Sequence, residues 1–472
     1  MHRYDLISCH ECGTLHRKAP LGPRQKARCV RCRSVLYRGT SAGPERMAAI
    51  VLGAILTFLI AQFCPIVELE VNGLRSSATL YGAIVVLWQE QMQLVAAIVF
   101  LSTILFPAVE LGALLYVTLG LRAGRVLPGF HRLLRAVSAA RHWGMTEVLM
   151  IGILITIVKM TSLAQVLVQP GLFAFGALTA MLAFVVAYEP RALWELGDRL
   201  LPRAAQDERA LLGGGRAPLL CHACGLVAPD LGTQHRHQHC ARCDKTLHRR
   251  RPDSIGRTWA LLLAAAILYI PANLLPVMYT HSLFGKQDDT IISGVVYFWT
   301  SGSPALAAII FIASIVVPVA KLAALSLLAW TAQRRSRWRP YQRTVLYRLV
   351  EFVGRWSMLD IFVITLTVAL VRFQTLAVIT AGPGALAFCA VVVLTMLASL
   401  QFDPRLIWDA TEPAPLPQAS PPAPPTSPAP SISPAPSTGP GTPAPLPSPP
   451  LAPTPPALPH SNRIESSGGT HD

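Results

Sequence analysis

The sequence predicts an all-α polytopic membrane protein, built as two tandem parallel repeats of four transmembrane helices, each preceded by a small cysteine-rich module. Three observations carry that reading. The 472 residues are 52% hydrophobic and only 14% charged, with a mean hydropathy of +0.44, whereas soluble domains carry about 25% charged residues. Eight of the ten cysteines form four C-x-x-C pairs. Landmark residues also recur at a nearly constant offset along the chain. The composition excludes a soluble enzyme of this size.

About 20 apolar residues in a helix cross the roughly 30 Å hydrocarbon layer. Eight stretches qualify, near 47–66, 95–120, 145–168, 171–188, 258–278, 305–330, 356–376 and 384–402. Gln169-Pro170-Gly171 separates the third from the fourth, and the Gly382-Pro383-Gly384 region separates the seventh from the eighth. Both pairs are therefore expected as antiparallel helical hairpins. Arg122, Arg125, Arg132, Arg135 and Arg141 follow the second stretch, and Arg334, Arg335, Arg337, Arg339, Arg343 and Arg348 follow the sixth. Arginine is also frequent in the N-terminus and in 191–257, and scarce in 67–94 and 279–304. Cytoplasmic loops carry the Lys/Arg excess, so both termini, both cysteine modules and the basic loops are expected in the cytoplasm.

The formal net charge of +16 is then mostly topogenic and lipid-facing, and no nucleic acid is expected as a partner. No apolar core segment precedes Cys9, so no secretory signal is expected. The tail, 411–472, is rich in Pro, Ala, Ser and Thr and is expected to be disordered.

The internal duplication is read from matched landmarks. Cys29, Pro65, Trp88, Glu110 and Pro107 correspond to Cys240, Pro276, Trp299, Lys321 and Pro318 at an offset of 211. Trp143 and Met145 correspond to Trp356 and Met358 at 213, and Glu189-Pro190-Arg191 to Asp403-Pro404-Arg405 at 214. The expected division is a module at 1–40, four spans at 45–200, a second module at 216–250 and four further spans at 256–410. Four spans is an even number, so the two halves share one orientation, and a ligand site is expected at or beside their interface.

In the modules, Cys9 and Cys12 precede Cys29 and Cys32 by a 16-residue gap, and Cys221 and Cys224 precede Cys240 and Cys243 by 15. Two tight knuckles at this separation bring four thiolates to one tetrahedron, the arrangement of a zinc ribbon. Four protein ligands close the coordination sphere, so two structural Zn²⁺ ions are expected. His222, His235, His237 and His239 are expected outside the ligand set. Cys64 and Cys389, inside spans, are expected to pack as small apolar residues.

Few ionisable residues interrupt the apolar stretches: Glu110, Glu147, Lys159, Lys321, Asp360 and, near an end, Arg372. A charge at mid-bilayer costs roughly 2.5–3.5 kcal/mol on insertion scales, so such groups pair or line a wet cavity. Ser314 shares a helix face with Lys321, and Ser357 shares one with Asp360, which places Lys321 and Asp360 within reach of each other. Pro318, one turn before Lys321, is expected to kink its helix. Glu147 is close enough to a helix end to be solvated.

These features resemble the paraquat-inducible protein A family of Gram-negative inner membranes. The resemblance rests on the paired C-x-x-C modules, the doubled four-span halves, Asn273-Leu274-Leu275-Pro276-Val277-Met278, Ser314 to Pro318 with Lys321, Arg355-Trp356-Ser357-Met358-Leu359-Asp360, and the Asp403-Pro404-Arg405 ending. It covers about residues 8–410. The first half departs from the Asn-x-x-Pro pattern, with Gln62-Phe63-Cys64-Pro65. The resemblance implies a lipid transporter that exchanges phospholipid with a periplasmic protein of the mammalian-cell-entry (MCE) domain class, contributing to outer-membrane lipid homeostasis. No GxxxxGK[ST] phosphate loop occurs, so the proton gradient is the implied energy source and no catalytic residue is implied. The implied transport pocket is Lys321, Asp360, Ser314 and Ser357, with Lys159 and Thr395 as further members. The competing readings are a membrane thiol oxidoreductase and a metal or stress sensor, both using the C-x-x-C pairs.

Overall fold

The structure, a computed structural model, describes residues 6–22, 25–39, 43–71, 74–161, 165–187, 190–200, 218–231, 238–282, 285–302, 304–370, 372–373 and 377–411. The Pro-rich tail, His235 and His237 lie outside the described residues, as do the side chains of Lys159 and Asp360.

The first module has two antiparallel hairpins, β1 (Leu6–Ser8) with β2 (Leu15–Arg17) and β3 (Lys26–Arg28) with β4 (Val35–Arg38). Helix α1 (Pro44–Phe63) follows, with proline in its first turn, where the missing N–H has no intrahelical partner to lose. The chain continues through β5 (Val67–Val71), β6 (Leu74–Ala78), α2 (Leu80–Gln89) and α3 (Gln93–Phe100). A π-turn at Leu101–Leu105 leads into α4 (Phe106–Arg122), and α5 (Phe130–Trp143), α6 (Thr146–Met160), β7 (Gln165–Val168), α7 (Pro170–Ala187) and α8 (Pro190–Leu200) complete this stretch.

The second module pairs β8 (Leu219–Leu220) with β9 (Val227–Ala228). Then come α9 (Ser254–Leu274), β10 (Met278–Ser282), β11 (Gly285–Asp289), α10 (Ile291–Thr300) and α11 (Pro304–Phe311). A second π-turn, Ile312–Val316, opens into α12 (Val317–Gln333). The remaining elements are α13 (Pro340–Trp356), α14 (Leu359–Leu370), β12 (Arg372–Phe373), β13 (Ala377–Ala381), α15 (Pro383–Gln401) and α16 (Leu406–Asp409).

The all-α expectation is corrected by these strands. β6-β5-β7 form a three-stranded sheet and β11-β10-β13-β12 a four-stranded one. The third and seventh apolar stretches were expected helical to 168 and 376, but helix ends at Met160 and Leu370. In both, chain beyond the helix pairs with another strand: Val67 opposite Val168, and Phe373 opposite Ala377. β-branched residues favour that extended state over a further helical turn.

Among the described residues, six helices are long and apolar enough to cross a membrane: Glu45–Phe63, Gln93–Arg122, Phe130–Val158, Ser254–Leu274, Ala307–Gln333 and Pro383–Gln401. The other two apolar stretches form the shorter α7 and α14. Leu263, Ile267, Ile270 and Leu274 on α9 are 60–73% exposed. Their spacing of four, three and four residues makes one apolar stripe, and an apolar stripe of this length belongs against lipid.

Pro107 and Pro318 each follow a π-turn. Proline has no N–H to donate, and the widened turn before it takes up the broken ladder. At the hairpins, Gly171 and Gly384 lie where a Cβ would stand 2.4 Å from the Pro65 carbonyl oxygen and 2.5 Å from that of Leu275. Any side chain there would drive the first and last helices of each stretch apart.

The basic segments after the second and sixth spans were read as loops, yet they contain α5 and α13. Phe130, Leu134, Val137 and Ala140 are buried on one face of α5, and Arg343, Tyr347, Val350 and Gly354 on one face of α13. Both sets follow the helical period.

Candidate functional site

Two sites emerge, one of sulfur and one of polar groups inside the helices. In the first module all four sulfurs are buried, with Cys9 Sγ 3.4 Å from Cys32 Sγ and Cys12 Sγ 3.5 Å from Cys29 Sγ. In the second, Cys221 and Cys243 are 3.5 Å apart, as are Cys224 and Cys240. Within each cluster every sulfur lies within 4.8 Å of the others. A tetrahedral ion with metal–sulfur bonds of about 2.3 Å needs sulfurs at roughly this separation, so both donor sets fit a metal.

The backbone supports the clusters. The amides of Gly13 and Gly225 donate to the carbonyls of Cys9 and Cys221, and both glycines sit at positive φ (78° and 74°), which closes each first knuckle tightly. Hydrogen bonds among the sulfurs hold Cys9 and Cys32, and Cys221 and Cys240, below the ordinary thiol range and push the other two thiols of each cluster up. His222 and His239 are exposed, outside the sulfur sets. A histidine that sequence reasoning missed, His16, places Nε2 3.2 Å from Cys29 Sγ. Its only sequence signal was a position on the strand between the two knuckles.

Both modules are fastened to the helices. Arg348 of α13 donates to the Glu11 carboxylate and, at 2.7 Å, to the Cys32 carbonyl. Burial pushes the Glu11 carboxyl up, but hydrogen bonds from His10 and Arg348 outweigh it and hold it below the usual carboxylate range. Arg242 of the second module pairs with Asp198 of α8 at 2.6 Å and donates to the Cys224 carbonyl at 3.3 Å. Lys18 pairs with Glu195, also on α8, so one helix brackets both modules.

The polar site centres on Lys321 of α12, which is 2% exposed. Its Nζ donates to Thr395 Oγ1 of α15 at 3.0 Å and to Ser357 Oγ, in the turn between α13 and α14, at 3.4 Å. Those hydroxyls donate onward to the carbonyls of Val392 and Val353, which leaves their lone pairs to the ammonium. Helices α12 and α15 and the turn between α13 and α14 therefore bring Lys321, Thr395 and Ser357 together. Ser314 is buried in the second π-turn, which packs against α14. Asp360 lies in the first turn of α14 and Lys159 near the end of α6. Glu147 is exposed, as expected. Cys389 is buried, while Cys64 at the end of α1 is half-buried.

In the first stretch, Glu110 accepts from Arg141 Nε at 2.7 Å, and Arg141 Nη2 also donates to the Val185 carbonyl. This pair was missed because Arg141 had been counted as topogenic charge. The helical period of 130–143 was the available signal.

Comparison with known proteins follows this geometry. A family model described as Paraquat-inducible protein A matches residues 45–197 and 255–412. Intermembrane transport protein PqiA of Escherichia coli K12 is 33% identical over 410 residues, covering 86% of this chain and 96% of that protein. Lipophilic envelope-spanning tunnel protein A of the same strain is 32% identical, covering 87% and 92%. A probable intermembrane transport protein of Haemophilus influenzae is 31% identical, covering 86% and 96%. No solved structure matches the chain.

Proposed function

The chain belongs to the paraquat-inducible protein A family, and from that premise we propose that it is a lipid-transporting subunit of the Gram-negative inner membrane. In this reading it exchanges phospholipid with a periplasmic MCE-domain tunnel protein, coupled to protons, and contributes to outer-membrane lipid homeostasis. The observation that carries the proposal is the Lys321 ammonium, withdrawn from solvent among apolar helices and held by two hydroxyls from two other segments. Such a group is costly inside a membrane, and an amphiphile with a charged head is a cargo that needs it. The relatives' names support transport between membranes and an envelope-spanning tunnel.

The pocket is Lys321, Asp360, Ser314 and Ser357, with Thr395 and Lys159 beside them. Asp360 carries the coupled proton. Once protonated it no longer attracts Lys321, and the packing of the second π-turn against α14 changes as lipid moves. The two halves are a tandem repeat, supported by one family model matching both stretches and by π-turns at matching places before Pro107 and Pro318. The ions are zinc, since four thiolates in a closed tetrahedron suit it, and the modules and both termini are cytoplasmic.

Asp360→Asn, at unchanged protein abundance, is expected to abolish rescue of detergent resistance in a host that depends on this protein. Full rescue by that variant overturns the pocket reading.

A further inference from the structure

A cavity of about 290 Å³ lies beside the polar site on the side of the first module. Its wall includes Arg141 from α5, Arg348, Gly354 and Arg355 from α13, and Met396 and Ser399 from α15. It has room for on the order of ten waters and several polar partners for them, and polar cavities of this size hold water rather than stay dry.

Gly354 is the position of interest. A Cβ built there would stand 3.8 Å from Lys321 Nζ and 3.9 Å from its Cε. No side chain at this position therefore separates the cavity from the ammonium. The sequence offset makes the contrast sharper. Glu110 corresponds to Lys321 at 211, and Arg141 corresponds to Gly354 at 213. In the first half a guanidinium fills the position and neutralises the buried carboxylate. In the second half the charge has the opposite sign, and the facing position has no side chain.

We propose that this cavity is a water-filled vestibule, open on the module side, with Gly354 as its floor and the Lys321 ammonium directly behind that floor. It gives the buried amine contact with bulk water from one side of the membrane only. The opposite wall is held by the first module, because Arg348 is anchored to Glu11 and to the carbonyl of the metal-cluster residue Cys32. The inference deepens the transport reading and rests on it for its purpose, though not for its geometry.

Water access is measured without any transport assay, so its failure is distinct from failure of that reading. In sealed vesicles with the module side outward, Ser399→Cys and Lys321→Cys are each treated with a membrane-impermeant methanethiosulfonate, and labelling is resolved by site with mass spectrometry. Both are expected to react an order of magnitude faster than Cys389, which is 1% exposed. Adding Gly354→Val is expected to slow Lys321→Cys by an order of magnitude and to leave Ser399→Cys unchanged. Labelling of Ser399→Cys no faster than Cys389, or of Lys321→Cys regardless of Gly354→Val, overturns the vestibule. The unmodified protein supplies a check independent of variant folding. Under hydroxyl-radical footprinting Met396 is expected to oxidise several-fold faster than Met92, which is equally buried at 5% exposure but does not line the cavity. Equal rates also overturn it.

Discussion

Lys321 and Glu110, which the proposed repeat puts in corresponding places, are stabilised differently. Glu110 is paired with Arg141, and removing one partner of a buried pair leaves an uncompensated charge costing about 3–5 kcal/mol. Glu110→Ala is accordingly expected to lower the melting temperature of the detergent-purified protein substantially. The double variant with Arg141→Ala is expected to recover part of the loss. Lys321 has two hydroxyls instead, as the proposed change of partners during transport would need. At this scale the sequence was informative where charge interrupted an apolar run, as at Lys321 and Glu110. Arg141 was illegible as a partner because one more arginine in a basic segment carries no signal of burial.

Among the elements, the cysteine clusters are tied to the helices through Arg348 and Arg242. Cys12→Ser breaks the first tetrahedron and is expected to reduce the metal content from two ions per chain to one, read by elemental analysis. Release of Arg348 should follow, seen as faster amide exchange in α13. No stoichiometric metal in the unmodified protein overturns the ribbon reading and favours redox-active thiols. On the other side of the bundle α6 meets α14 closely, with a Cβ at Gly152 standing 3.3 Å from the Phe362 Cβ. Gly152→Leu is expected to destabilise the purified protein by about 1–3 kcal/mol through overpacking, measured as a fall in melting temperature, while Gly152→Ala costs much less. The apolar helices and the knuckles were readable because their signals are local, in hydropathy and in spacing. The strands β7 and β12 were not, since an apolar stretch favours helix or strand according to whether a partner edge is near.

Over the whole molecule, metal modules sit at one end of the helices and small sheets at the other, separated by helices such as the 20-residue α1, about 30 Å long. That polarity suits the proposed transport role. The family match ends at residue 412, so a chain stopped after Glu412 is expected to keep its metal content, its melting temperature and its rescue of detergent resistance. Loss of any of the three gives the tail a role. The sequence by itself determined the membrane class, the metal knuckles and the family, because burial preference and ligand spacing are properties of neighbouring residues. Only the tertiary structure decided that Thr395 and Ser357 hold Lys321, that Arg141 neutralises Glu110, and that Gly354 stands between a cavity and the Lys321 side chain. Those contacts join residues 31 to 74 positions apart, and which side chains meet across such distances depends on how the helices pack.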